Sequence, residues 1–182
     1  LRPDDLTITR PWQPHRLGNP NVGASRLHWL ILDVGVRRPN QPWKWPPWVV
    51  LTKPDRDQLT TFLRHNEQPG WGVTPDIRRC FDQLGRAVEN DECGSNISRI
   101  TAYLNELFVL VLESLRHQRP ELDESLAGTR RTVQLFLDEL RREPTQISRP
   151  WTLPLLAEQC GLGPTRFTLF CRQLTNLTPL KY

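Results

Sequence analysis

Small and apolar side chains near the end of the chain recur at helical spacing. Four of them fit the i, i+3, i+4 and i+7 positions of one helix face: Leu153, Leu156, Ala157 and Cys160. Gly161 follows, a residue that can take a positive φ where a helix stops. Pro164 then suits the first position of another helix, where its missing N–H costs nothing. The pattern predicts two short helices joined by a tight turn.

The second of these helices carries two stripes of side chains on opposite sides. The inward stripe is apolar: Phe167, Phe170, Cys171 and Leu174. The outward stripe holds two hydroxyls, one apolar side chain and one cation: Thr165, Thr168, Leu169 and Arg172. Hydroxyls and arginine can bind phosphates or base edges, and methyl groups can contact thymine. The spacing favours a helix-turn-helix that reads a DNA major groove, with an ordinary pair of packed helices as the alternative.

From residue 129 to residue 182 the chain resembles the AraC/XylS family of transcriptional regulators, specifically the first of their two helix-turn-helix units. The residues that carry this resemblance are Trp151, Leu153, Leu156, Ala157, Gly161, Leu162, Pro164, Phe167, Phe170 and the terminal run Thr178, Pro179, Leu180, Lys181 and Tyr182. We therefore expect a sequence-specific regulator that binds double-stranded DNA. The predicted DNA-binding residues are Thr165, Arg166, Thr168, Leu169 and Arg172, and the predicted motif core is Leu156, Ala157, Gly161, Phe167 and Phe170.

Three positions depart from the family pattern. Asn176 stands where glycine is usual, and Asn tolerates the left-handed conformation better than most residues. Gly163 replaces the usual serine cap, at a cost of only a few tenths of a kcal/mol. Leu169 replaces a position that is often polar or basic. The chain contains no Met and ends where a second motif is expected, so we interpret it as a fragment or a shortened relative with weakened affinity for DNA.

Helical periodicity also predicts four upstream helices. They cover residues 55–66, a stretch that begins at Thr74, a long stretch from Ser95 or Asn96 to about Gln118, and residues 123–143. In the long helix, apolar residues repeat at spacings of three and four, and residues 107–112 are apolar on every side. The family resemblance places dimerisation helices here, so we expect a homodimer that pairs through Leu104, Leu107 and Val111. Missing strands could cover this face instead.

The N-terminal part is predicted to be rich in strands, at residues 6–9, 26–36 and 49–52. Its position resembles the trailing part of the cupin-type barrel of AraC relatives. Four tryptophans could wall a pocket for a small-molecule effector, or could simply cover the open end of a small sheet: Trp29, Trp43, Trp45 and Trp48. His15 and His28 lack the clustered ligands of a cupin metal site, so we expect neither a metal nor another cofactor.

The predicted fold class is α+β, predominantly α. We expect a β-rich, cupin-like sensor remnant at residues 1–54, a helical linker and dimerisation segment at 55–122, and an AraC-type subdomain of three helices at 123–182. The distribution of charge agrees with a DNA-binding role for residues 123–182, because the net charge of +4 falls entirely on residues 129–182 and DNA is negatively charged. That stretch has eight cations and four acidic residues: Arg130, Arg131, Arg141, Arg142, Arg149, Arg166, Arg172 and Lys181 against Asp138, Glu139, Glu143 and Glu158.

The sequence gives little support to an enzyme, because it has no clustered His, Asp and Glu, no phosphate-binding glycine loop and no nucleophile motif. Its four cysteines lack metal-binding spacing and are expected in the core. With no membrane span or signal peptide recognisable, we expect a cytoplasmic protein. The alternatives to a regulator are an effector-binding or dimerisation fragment without DNA binding, and a cupin-like sugar-modifying enzyme.

Overall fold

The computed structural model describes residues 5–15, 23–24, 27–68 and 70–182, apart from the side chains of Pro144 and Ile147. Within these residues the protein is mostly helical with one two-stranded sheet, which confirms the predicted class at this level. The strands are β1, Asp5–Thr7, and β2, Gly70–Gly72. The helices are α1 Lys53–Arg64, α2 Pro75–Glu89, α3 Ile97–Gln118, α4 Thr129–Arg142, α5 Pro144–Ile147, α6 Leu153–Gln159 and α7 Pro164–Thr175, with a 3-10 helix at Glu124–Ala127.

Contacts divide the chain into two compact units. The first comprises Leu1–Gly35 and Trp43–Leu122, and the second comprises Val36–Pro42 and Asp123–Tyr182. The described helices of the first unit are α1 to α3, and those of the second are α4 to α7 with the 3-10 helix. The second unit is therefore assembled from two stretches of chain that are far apart in the sequence.

Threonine caps start the first two helices. The side chain of Thr52 accepts a hydrogen bond from the backbone N–H of Asp55, and that of Thr74 accepts one from Ile77. Each cap satisfies an N–H that has no partner inside the helix, and a proline in the first turn of each helix removes one more such N–H. These signals account for the close agreement with the predicted starts.

The long helix α3 faces the core of the first unit. Leu107 and Leu112 are each 2 % exposed, and Phe108 is buried beside them. The residues predicted to pair two copies, Leu104, Leu107 and Val111, pack against core side chains of their own chain. Leu107 in particular has no surface left for a partner. The seam of threes and fours is present, and it packs against α1 and α2 of the same chain.

Two predicted strands are corrected by the structure. Residues 27–36 form no strand with any described residue, and residues 25–26 lie outside the description. Residues 49–52 alternate as a strand would, with Val49 buried and Val50 76 % exposed. The Val50 N–H, however, donates to the side-chain oxygen of Asn105, whose amide donates to the carbonyl of Trp48. A helix side chain thus takes the place of a neighbouring strand. The remaining sheet pairs Asp5 with Gly72 and Thr7 with Gly70.

Two tryptophans of the first unit, Trp45 and Trp48, pack against its core. The ring of Trp45 lies edge-on to Phe108, with centroids 5.7 Å apart, and that of Trp48 stacks on the same phenylalanine at 6.1 Å. The indole N–H of Trp45 donates to the hydroxyl of Thr60. For two of the four tryptophans predicted to line an effector pocket or cover a sheet, these contacts favour a role in covering the core. A cleft lined in part by Arg10 and Trp71 has a volume of about 10 Å³, room for about one water molecule.

The second unit departs from prediction at two places. The helix predicted at residues 123–143 is interrupted at Gly128, which separates the 3-10 helix from α4. Residues 144–147, predicted as loop, form the short helix α5.

No helix of the described part of the chain is both long and apolar enough to cross a membrane.

Candidate nucleic-acid interface

The turn between α6 and α7 is closed by backbone hydrogen bonds. The N–H of Leu162 donates to the carbonyl of Ala157 at 2.9 Å, and that of Gly161 donates to Glu158 at 2.8 Å. Together with the positive φ of Gly161, +66°, these bonds form a Schellman motif, which uses carbonyls that the helix end leaves unpaired. The direction in which α7 leaves the turn is therefore set by the backbone.

Both ends of α7 follow the sequence signals. Gly163 is its N-cap in extended conformation, and Pro164 begins the helix. Asn176 ends it with a φ of +60° and donates its N–H to the carbonyl of Arg172 at 2.9 Å. The left-handed conformation expected at Asn176 is thus observed. An Asn side chain is therefore compatible with this cap.

One side of α7 lies in a core made by three helices. Phe167 and Cys171 are fully buried with Leu156 and Ala157 of α6 and Val133 of α4. The rings of Phe136 and Phe167 meet edge to face with centroids 6.2 Å apart. Phe170 is half-buried and packs against the same cluster. Of the five residues predicted as motif core, Gly161 instead lies exposed at the turn.

The opposite side of α7 gathers the five predicted DNA-binding residues. Thr165, Arg166 and Arg172 are exposed, Leu169 is 54 % exposed, and Thr168 is half-buried. Among the described residues, no acidic side chain forms an ion pair with Arg166 or Arg172. Two free guanidinium groups, hydroxyls and one apolar side chain thus share a face. This surface, which we call the α7 face, offers donors and positive charge without an internal partner.

Two other arginines of the second unit are held by aromatic rings. The guanidinium of Arg141 lies 4.7 Å from the centre of the Tyr182 ring, and that of Arg149 lies 4.9 Å from that of Trp151. The hydroxyl of Tyr182 in turn donates to the carbonyl of Leu137. Cation–π contacts of this kind fix long side chains against the surface. They give these arginines a packing role that charge counting does not reveal.

Residues Val36–Pro42, which we call the strap, also belong to this site. The amide of Asn40 donates to the carbonyl of Cys160 at 3.1 Å, at the last turn of α6. The guanidinium of Arg38 covers Gly161 and donates to the carbonyl of Glu158 at 3.4 Å. A cation suits this position because the C-terminal end of a helix carries partial negative charge. Arg38 thus brings a further positive group to the turn.

Sequence reasoning missed the strap. Its anchoring contacts join residues 120 positions apart, and such a pair leaves no periodic trace in either segment. The only local signal is that residues 37–41, between the predicted strands at 26–36 and 49–52, favour a turn, which the hydrogen bond from the Arg37 N–H to the side chain of Gln41 helps to form. That signal identifies a turn but not the surface on which the turn lies.

The buried thiols are poor candidates for chemistry. Burial raises the pKa of Cys160 to about 12 and that of Cys80 to about 11, and it also raises the pKa of Cys171. The thiolate is the reactive form, so these groups are protonated and unreactive at neutral pH. Within the described residues, no group of three or more His, Cys, Asp or Glu side chains is arranged to hold a metal ion.

Comparison with protein-family models, curated proteins and solved structures gives no match. The resemblance to AraC/XylS regulators therefore rests on the sequence of the motif alone.

Proposed function

We propose that this protein is a sequence-specific DNA-binding regulator of the AraC type, whose α7 lies in a major groove. The observation that carries the proposal is the two-sided character of α7. Phe167 and Cys171 are fully buried on one side, while Arg166 and Arg172 are exposed on the other without an acidic partner among the described residues. A helix held by its back with such a face free fits groove binding.

The groups on this face divide by the contacts they can make. Arg172, one turn from Thr168 and Leu169, would bind phosphate, a contact that positions the protein on any sequence. Thr168 would contact a base edge, and Leu169 the methyl group of a thymine. Arg166 would bind a phosphate at the start of the helix. Arg38 of the strap, close to the same turn, adds positive charge next to this phosphate path.

The proposed regulator acts in the cytoplasm as a homodimer that responds to a small-molecule effector. Two copies would read two half-sites, which raises affinity over that of one motif. The two short strands give no support to a cupin-like sensor, and DNA binding by α7 does not require one. A fragment that binds an effector or pairs with itself, without binding DNA, differs from this proposal only in the affinity of the α7 face. No geometry in the described residues favours a sugar-modifying enzyme.

Salt dependence tests the proposal directly. If arginines of the α7 face and the strap neutralise phosphates, log affinity for duplex DNA falls linearly with log salt, with a slope of roughly 0.9 per phosphate contacted. Fluorescence anisotropy with labelled duplexes at several salt concentrations measures this slope. Arg172→Ala should lower it by roughly one contact. Affinity that does not change with salt contradicts the proposal.

Two variants of α7 separate contacts that position the protein from contacts that read the sequence. Arg172→Ala should weaken binding to all duplexes alike, whereas Thr168→Ala should change the ranking of sequences in a selection from a random duplex library. Gln173→Ala is the matched control, because Gln173 is exposed on the same helix but outside the predicted contacts. Identical effects of the two test variants contradict the assigned roles.

A further inference from the structure

The first half of α7, residues 164–169, is the part of the helix suited to contact base edges, because the N-terminal residues of a recognition helix enter the groove. Its outward side carries Thr165, which is exposed, Thr168, which is half-buried, and Leu169, which is 54 % exposed. All three side chains carry methyl groups. Leu169 is the largest of them and is not among the described side chains that pack on the core of the second unit. Its apolar surface is therefore free for a contact outside the protein.

The chemistry available for base recognition on this half of α7 is narrow. Asn and Gln recognise adenine through two hydrogen bonds, and Asp and Glu accept a hydrogen bond from cytosine. Residues 164–169 contain none of these four residue types, and the one amide side chain of α7, that of Gln173, lies in the last turn. Arg166 has a phosphate as its partner in the proposed complex. The remaining feature that distinguishes one base from another is the C5-methyl group of thymine, which apolar side chains contact.

We propose that Leu169 makes DNA binding depend on the C5-methyl group of a pyrimidine in the major groove. The protein then distinguishes thymine from uracil, and 5-methylcytosine from cytosine, at the base that this side chain contacts. The inference rests on the proposed function, in which α7 lies in a major groove. It adds the chemical group that is recognised and a covalent modification of DNA, methylation of cytosine at C5, to which binding responds.

The size of the effect follows from the surface that one methyl group removes from water. Burial of a methyl group against an apolar side chain stabilises a complex about as much as burial of one CH₂ group, which corresponds to roughly fourfold in affinity. Uracil and cytosine carry a hydrogen at C5 and lose this contribution. Because the contact is apolar, its contribution should change little with salt, in contrast to the phosphate contacts of the arginines.

Replacement of single methyl groups in the DNA tests the inference. In a duplex selected from a random library, each thymine is replaced in turn by deoxyuridine, and affinity is measured by fluorescence anisotropy. At one position the replacement should weaken binding about fourfold, whereas Leu169→Ala should bind the thymine and uracil duplexes equally well. Leu155→Ala is the matched control, because Leu155 is a leucine of α6 that is 44 % exposed. This control should keep the fourfold difference.

The same position then carries cytosine or 5-methylcytosine opposite guanine. Methylation should raise the affinity of the wild-type protein by a similar factor and should not change that of Leu169→Ala. Failure to bind any duplex overturns the proposed function together with this inference. Salt-dependent binding that is indifferent to every replacement of thymine by deoxyuridine overturns the inference alone, as does a preference for thymine over uracil that persists in Leu169→Ala.

Discussion

Gly161 has a backbone conformation that favours glycine. Its φ of +66° costs a residue with a Cβ about 1–2 kcal/mol. A Cβ at this position would also lie 2.5 Å from the Nε of Arg38, so the end of that flexible side chain would have to move. Backbone geometry is therefore the main reason for a glycine here, and the contact with Arg38 adds little.

We expect Gly161→Ala to lower the free energy of unfolding by about 1–2 kcal/mol, because alanine is strained at this positive φ and moving the flexible end of Arg38 adds little. Urea unfolding followed by circular dichroism measures the change. Gly163→Ser is the control: Gly163 has a φ of −75° and open space around it, and a serine N-cap should be neutral or slightly stabilising. A loss at Gly161 no larger than at Gly163 would show that the turn does not need glycine.

At the level of helices and strands, local signals predicted most starts and ends. Three signals act through neighbours close in sequence, so their effect can be read without the fold: Thr74 with Pro75, Gly163 with Pro164, and Asn176. The sequence did not show in the same way which elements each helix packs against. The apolar seam of α3 is compatible with a second copy or with α1 and α2, and spacing alone does not choose between them.

Strands were the least predictable elements for a related reason. A strand requires a hydrogen-bonded neighbour, whereas its sequence pattern records only which side is buried. At Val50 the neighbour proved to be the side chain of Asn105. Residues 27–32 form no backbone hydrogen bond with another residue of the described part of the chain. On the α7 face, by contrast, helical periodicity was sufficient to predict which residues share one side of the helix. It did not predict that the strap packs on the turn before α7.

The two aromatic anchors of α7 should differ in cost. Phe167→Ala removes a fully buried ring and should lower the free energy of unfolding by about 3–5 kcal/mol. Phe170→Ala should cost clearly less, because Phe170 is only half-buried and water already contacts part of its ring. Chemical denaturation of both variants under one set of conditions gives the comparison. Equal losses would mean that the two rings share the core equally, contrary to their burial.

At the scale of the whole molecule, each unit keeps a buried thiol whose pKa is raised by burial: Cys80 to about 11 in the first and Cys160 to about 12 in the second. In the unfolded chain a thiol titrates near pH 8.5. The folded state therefore holds these protons more tightly than the unfolded state does. Their contribution to stability is complete below the unfolded pKa and is lost as pH rises toward the folded values.

We accordingly expect the free energy of unfolding to fall between pH 8 and pH 10, by up to about 1.4 kcal/mol per pH unit for each thiol. Urea unfolding with a non-thiol reductant present measures it at each pH. A variant with Cys80→Ala and Cys160→Ala is the control, because it should be less stable at pH 8 but should decline less above it. If variant and wild type decline in parallel, the thiols are not the cause.

The second unit is not encoded by one continuous stretch of the gene, because the codons for Val36–Pro42 lie far upstream of those for Asp123–Tyr182. Recombination that moves one contiguous block of codons would leave Asn40 and Arg38 behind, and the carbonyl of Cys160 would lose its donor. The recipient protein would then need other residues to bond the carbonyl of Cys160 and to pack over Gly161. The transfer of the second unit between proteins is thus restricted by seven residues, Val36–Pro42, that a comparison limited to Asp123–Tyr182 would not include.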